Sequence, residues 1–330
     1  MNANGGRASP SVPIIEARGI SRSFNGTVAV RDLSLTVDGG EILGLIGPSG
    51  SGKTTTIRML TGTLAPSAGE AVVLGEDPMH FSRRARAELA YMPQLFSLYP
   101  DLTVRENVGF VAALYGIGVF RRGKLIRRAL EVVELWDVRD RLARNLSGGM
   151  QRRLELACAL VHTPSVLFVD EPTAGIDPML RKTIWDELRR LRDEGRTLLV
   201  TTQYVGEAEY CDRVALIADG ELVALDAPDK LRRLVFGGEV IMVEGEQPVH
   251  PQLLAPVEGV ESVRQLDERR LVVVAADASI ATPRLIEALR SGGIGVARVG
   301  EYRPSFDEVF AALVEQNRSR RPPPDVSDDG

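Results

Sequence analysis

The chain has 330 residues, 44% of them hydrophobic and 26% charged, with a net charge of −5. That length fits about two domains with cores of their own, and the acidic balance excludes the basic domain expected of a general nucleic-acid binder. Cys158 and Cys211 sit in apolar helical contexts and read as reduced core residues in cytosol, and His80, His162 and His250 are too far apart to form a metal cluster.

Residues 1–12 are small and polar and are expected to be disordered. They lack the apolar core of a signal peptide, and no apolar run nears the ~20 residues of a membrane span. The expectation is a chain that does not itself cross a membrane. Ile14 to Val37 reads as two or three strands, with alternation at Leu33, Leu35 and Val37 marking a half-buried antiparallel one. Glu41–Ile46 reads as a buried strand, and Gly47-Pro48-Ser49-Gly50-Ser51-Gly52-Lys53-Thr54 follows it. This segment fits the phosphate-loop pattern at every fixed position, and a helix from Thr55 onward completes the strand–loop–helix context. Glycines let backbone N–H groups curl round a phosphate, and the helix start adds a positive dipole end. Lys53 then reaches the β/γ-phosphates, and the Thr54 hydroxyl holds Mg²⁺.

Ala71–Leu74 is a further strand, and residues 103–145 are helical in pattern. Leu125, Ala129, Val132 and Val133 recur there at helical spacing. Arg121, Arg122, Lys124, Arg127 and Arg128 crowd the start of that block, as a solvated face or as a contact for anionic lipid. Leu146-Ser147-Gly148-Gly149-Met150-Gln151 opens a helix with a second anion-binding nest. Val166–Asp170 is an apolar strand ending in two acids: Asp170 to bind the magnesium shell and Glu171 to polarise a water.

Thr183–Glu194 is an amphipathic helix stopped by Gly195, Thr197–Thr201 a buried strand, and Asp219-Gly220 the turn of a hairpin. Strands alternating with helices imply an α/β fold with a mainly parallel sheet flanked by helices. Gly237-Gly238 marks a boundary. Beyond it, strand 240–243, a short helix at 251–254, a hairpin across 267–270, a helix at 283–290, strand 295–299 and a helix at 306–314 give the order β-α-β-β-α-β. That order points to a small α+β, ferredoxin-like layer. Residues 317–330 read as a disordered tail.

The succession of phosphate loop, Gln94, LSGGM, LFVDEP and AGIDP over residues 14 to 235 resembles the ATP-binding cassette (ABC) family, the nucleotide-binding subunits of ABC transporters. The resemblance implies a phosphate-loop ATPase core over 13–236 with an N-terminal antiparallel β subdomain and an inserted helical subdomain at about 95–160. A small domain at 237–316 completes the fold. It implies that Phe24 stacks on adenine, Ala29 packs under ribose or base, and Gly47 to Thr55 cradle the phosphates. Gln94 contacts Mg²⁺ or the attacking water, with Leu98 to Val108 the place to look for a membrane partner. Glu171 is the general base, aided by Lys53 and Gln203. Ser147, Gly148, Gly149 and Asp177 act across a dimer interface, because one subunit's LSGGM closes over ATP held by the other.

Gln203 departs from the family, which has His there, and a glutamine carries no proton. That change and the PSFDEVF segment resemble the drug-resistance, ABC-2 type exporters. The expected assembly is an ATP-dependent homodimer, or a heterodimer with a second cassette, on a separate transmembrane permease at the cytoplasmic face of the membrane, with no nucleic acid. The alternative is an ABC-type ATPase acting on ribosomes or DNA. Such relatives carry two cassettes, long coiled coils or zinc motifs, which this chain lacks. A phosphate-loop kinase or GTPase has no use for LSGGM, and a regulatory module is expected to lose Lys53 or Glu171.

Overall fold

In a computed structural model describing residues 12–94 and 98–319, the chain divides into two units between Leu225 and Asp226. The expectations for residues 1–11, 95–97 and 320–330 lie outside the described residues.

The first unit opens with β1 (Ile15–Phe24) and β2 (Thr27–Val37), then β3 (Ile42–Ile46), α1 (Lys53–Leu60) and β4 (Ala68–Val73). β2, β1 and β4 form an antiparallel sheet. The first two strands are longer than alternation indicated, because register shifts near Ile20 and Arg22 break the period-two pattern without ending the pairing. α2 (Arg83–Glu88) and β5 (Leu89–Met92) follow; neither carries a sequence signal strong enough to have been read. α3 (Val104–Leu114), α4 (Val119–Val132) and α5 (Gly148–Leu160) pack on one another as the helical part. The buried stripe of α4 is Ile126, Ala129 and Leu130, continued by Val133. It is rotated from the expected face, and Leu125 and Val132 fall on its margin.

β6 (Val166–Asp170), α6 (Pro178–Asp193), β7 (Thr197–Thr202), β8 (Arg213–Ala218) and β9 (Glu221–Asp226) complete the unit. The large sheet runs β5-β6-β7-β3-β8-β9, and its first five strands are parallel. β3, β6 and β7 are buried along their whole length, as strands covered on both faces must be. Asp219 and Gly220 both have positive φ, 52° and 80°, as a two-residue hairpin turn between right-twisted strands requires.

The second unit contains α7 (Pro228–Phe236), β10 (Glu239–Gly245), α8 (Pro251–Leu254), β11 (Val260–Gln265), β12 (Arg270–Ala275), α9 (Ala278–Ser291), β13 (Val296–Glu301) and α10 (Phe306–Ser319). Its antiparallel sheet runs β11-β12-β10-β13, the strand order of the split β-α-β layer. Ile241, Val243, Leu271 and Val273 pack there against Ala281, Leu285 and Leu289. Two ends differ most from expectation. α9 starts five residues early, because Asp277 caps it by accepting from Ser279 N and Ile280 N, and Pro283 sits inside the helix rather than at its start. α10 continues to Ser319, past the residue where the tail was expected.

Candidate active site

The loop after β3 is shaped by what surrounds it. A Cβ on Gly47 would lie 2.1 Å from the Ile217 carbonyl oxygen, and one on Gly52, at φ +99°, 2.5 Å from the Ala29 carbonyl oxygen. Pro48, Ser49 and Gly50 form the exposed rim, and Ser51 is buried with no hydrogen-bond partner for its Oγ. Lys53 begins α1 and is buried; its Nζ donates to the Gly47 oxygen at 2.9 Å and the Pro48 oxygen at 3.0 Å. Thr55 is half-buried on the next position.

β6 ends beside this loop. Thr54 Oγ1 donates to Asp170 Oδ1 at 3.3 Å, and the Thr201 hydroxyl on neighbouring β7 donates to the same oxygen. Asp170 is fully buried, and its Oδ2 has no hydrogen-bond partner. A buried carboxylate oxygen left unsatisfied is costly unless something absent completes it. Together with the Thr54 hydroxyl it offers a hard oxygen donor set suited to a magnesium ion.

Glu171 adopts φ +46°, rare for a residue with a side chain. The strain is held in place from several sides. Its N–H donates to Thr201 O at 3.1 Å and Thr201 Oγ1 at 2.9 Å, and its carbonyl accepts from Arg152 Nη2 at 2.9 Å. The side chain accepts from Gln94 Nε2 at 2.9 Å and lies 3.4 Å from Lys53 Nζ. A residue locked in a sparsely populated conformation by this many bonds is a mark of a functional position. Lys53, Thr54, Gln94, Asp170 and Glu171, drawn from three separate segments, thus converge.

Other expected site residues stand apart from this centre. Phe24, at the end of β1, is 43% exposed with the Arg22 guanidinium 5.0 Å from its ring centroid, which excludes a core role. Gln203 follows β7 and is exposed. Ser147 caps α5, its Oγ accepting from Met150 N at 3.3 Å, and Gly148 is open to solvent. Among the described residues, no hydrogen bond joins Ser147, Gly148 or Gly149 to residues 47–54. Asp177 caps α6, accepting from Met179 N and Leu180 N at 3.0 Å, so part of its work is within its own helix.

The profile of the ABC transporter family matches residues 30–174. The "Nod factor export ATP-binding protein I" of Rhizobium sp. (strain N33) is 36% identical over 300 residues, 91% of this chain and 96% of that protein. The chain belongs to the ABC transporter family. The "Probable multidrug ABC transporter ATP-binding protein YbhF" of Escherichia coli (strain K12) is 41% identical over 223 residues, 68% of this chain; the chain spans only 39% of YbhF's length. Among solved structures, the dimeric post-hydrolysis state of the ATP-binding cassette MJ0796, bound to ADP and Pi, covers 64% of the chain at a TM-score of 0.60 and 25% identity.

Two residues of the cassette's centre belong to no motif in the sequence. Arg152, in α5, is buried and donates to the backbone oxygens of Pro93, Asp170, Glu171 and Pro172 and to Glu155 Oε2. It binds the helix after the LSGGM nest to the Gln94 segment and to both acids. Its signal was the acid three residues on, at a position that helical spacing places near Leu156. Thr201 bridges Asp170 and Glu171, and only its place on a strand adjoining β6 distinguishes it from any strand threonine.

Two of the loop's glycines supply a built-in control. Gly50 has φ +80° and nothing within 4 Å of its missing Cβ, whereas Gly52 has both a positive φ and a carbonyl in the way. Gly50→Ala carries only the left-handed strain of about 1–2 kcal/mol. Gly52→Ala adds a backbone clash at the residue that starts α1. Thermal denaturation is expected to rank wild type above Gly50→Ala above Gly52→Ala, and equilibrium nucleotide binding to follow the same order.

Proposed function

We propose that this chain is the ATP-hydrolysing subunit of an exporter, driving a separate membrane permease through ATP-dependent closure of two cassettes. The observation that carries this is the meeting of Lys53, Gln94 and Glu171 beside the Asp170–Thr54 pair, with the LSGGM nest exposed and unconnected to it. One chain supplies a phosphate cradle, a water-activating carboxylate and a free anion nest, so a second cassette is needed to cover the nucleotide.

The chemistry follows from the same contacts. Lys53 releases the Gly47 and Pro48 oxygens and turns its ammonium to the β/γ-phosphates of ATP. Asp170 and Thr54 are the residues to hold magnesium, which when bound draws negative charge from the phosphate oxygens. Gln94 fixes the Glu171 carboxylate by a hydrogen bond, and Glu171 orients a water. The water oxygen bonds the γ-phosphorus, the bond to the bridging oxygen breaks, ADP leaves, and the water's proton passes to Glu171. Closure does mechanical work because ATP binds the closed pair better than the open one.

Relatives named for multidrug and Nod factor export support the exporter class. No helix among the described residues is long and apolar enough to cross a membrane, and the transport path is assigned to a partner. Besides Leu98 to Val108, a groove of about 820 Å³ whose lining includes Pro78, Met79, Arg83, Arg86, Leu114 and Tyr115 is open for that partner. The test is a pull-down from membranes with Glu171→Gln in the presence of ATP. Recovery of a polytopic permease is the expected result, and recovery of ribosomes or DNA alone overturns the reading.

Gln203 acts as a hydrogen-bond donor to phosphate and not as a proton carrier. The expected consequence is steady ATP turnover by partner-bound protein, well above a Glu171→Gln control. Gln203→His is expected to add a titration to the pH–rate profile near the usual histidine pKa of about 6.5 that wild type lacks. Wild-type turnover no higher than the Glu171→Gln control contradicts this role.

A further inference from the structure

The start of α4 is built against its own stability. Its cap, Gly118, offers no side-chain hydrogen bond, and no acid lies in the first turn. Arg121 and Arg122 instead sit in the first turn, where the backbone dipole is positive and cations are unfavourable, and Lys124 lies just beyond it. Beside them Val119 is 76% exposed and Phe120 fully exposed, with Leu114 70% exposed at the end of α3. From Asn107 to Leu130 the sequence has no Asp or Glu, although the chain as a whole is acidic.

An ordinary solvated helix face mixes signs and forms pairs at i,i+4 spacing. Farther along, α4 does so: Arg127 Nε donates to Glu131 at 2.7 Å. Arg122 turns back to the Ile117 oxygen at 2.9 Å. Arg121 and Lys124 make no ion pair or side-chain hydrogen bond among the described residues. Local choices that contradict the fold's stability mark functional positions. A bare aromatic and a β-branched residue beside cations that have no acidic partner is the composition of an interfacial anchor, in which apolar side chains enter the acyl boundary and cations meet anionic headgroups.

We propose that the α3–α4 tip, through Val119 and Phe120 with Arg121, Arg122 and Lys124, contacts an anionic lipid surface directly. The tip adjoins the groove whose wall includes Leu114 and Tyr115, and that groove is the one assigned above to the permease. The proposal therefore rests on the permease reading for where the membrane lies. A cassette held from below by its permease would thus have a second hold on the membrane, one that orients it.

The experiment is flotation of the purified full chain with phosphatidylcholine vesicles containing about a third phosphatidylserine, against phosphatidylcholine alone. Wild type is expected to bind the anionic vesicles, more weakly as salt rises. Each cation near such a surface is worth about five-fold in partitioning, so Arg121→Gln/Lys124→Gln is expected to bind about 25-fold more weakly. Phe120→Ser is expected to weaken binding while leaving the salt dependence in place. Retained basal ATPase in both variants shows that each is folded. Equal flotation of wild type and the double variant, or no preference for anionic vesicles, overturns the proposal. So does loss of permease capture in lipid-free detergent by the double variant, which would make an acidic permease loop the partner. Vesicle binding by a wild-type chain that captures no permease sinks the transport reading instead and leaves the lipid contact standing.

Discussion

Glu171→Gln is expected to lower ATP turnover by about 10²–10⁴-fold while leaving ATP binding intact. The substitution is isosteric and keeps a hydrogen-bonding group next to Gln94, which now donates 2.9 Å to the carboxylate. What it removes is, among the described residues, the only group in this centre that sits against Lys53, is free of the metal-suited Asp170, and can accept a water's proton. The backbone strain at φ +46° depends on Thr201 and Arg152, not on the side-chain charge, so the fold is expected to survive. Loss of the negative charge 3.4 Å from Lys53 also frees the ammonium for phosphate. The variant should therefore close on ATP and stay closed. Size-exclusion chromatography with ATP and magnesium is expected to show a dimer for Glu171→Gln that wild type shows only transiently. A variant that hydrolyses ATP at the wild-type rate removes Glu171 from its proposed role.

How far the sequence announced this site depends on what each residue does. Lys53 and Thr54 were legible because a phosphate imposes a fixed local pattern, and Asp170 because an acid at the end of an apolar strand has few structural excuses. The Gln94–Glu171 bond spans 77 residues and could be inferred only from the family's order of motifs. Arg152 was hidden for a physical reason: a cation on an amphipathic helix normally points to water, and nothing in local spacing reports the backbone oxygens that it satisfies. The same limit applies to the fold. Strands buried on both faces were plain as apolar runs, but β1 and β2 were underestimated where register shifts interrupt alternation. α9 was cut short because Pro283 imitates a helix start that Asp277 in fact provides.

Ser147→Asp separates helix capping from action across a dimer. Ser147 Oγ caps α5 through Met150 N, so Ser147→Ala would cost about 1 kcal/mol of helix stability and confuse the two roles. An aspartate caps equally well, and its charge is welcome at a helix N-terminus. Thermal stability is therefore expected to be unchanged or slightly raised. Nucleotide binding by the isolated chain is also expected to be unchanged, because no hydrogen bond links Ser147 to its own phosphate loop. In the closed pair proposed above, however, the new carboxylate would face the partner's triphosphate. Two like charges about 4 Å apart at an effective dielectric near 20 repel by about 4 kcal/mol, or roughly a thousand-fold in the closing equilibrium. The expected outcome is ATP affinity near wild type in a fluorescent-nucleotide titration, no ATP-induced dimer even when combined with Glu171→Gln, and turnover down at least about a hundred-fold. Wild-type turnover should also rise more steeply than linearly with protein concentration when the permease is absent. A Ser147→Asp chain that dimerises and hydrolyses ATP normally would mean that each subunit works on its nucleotide alone.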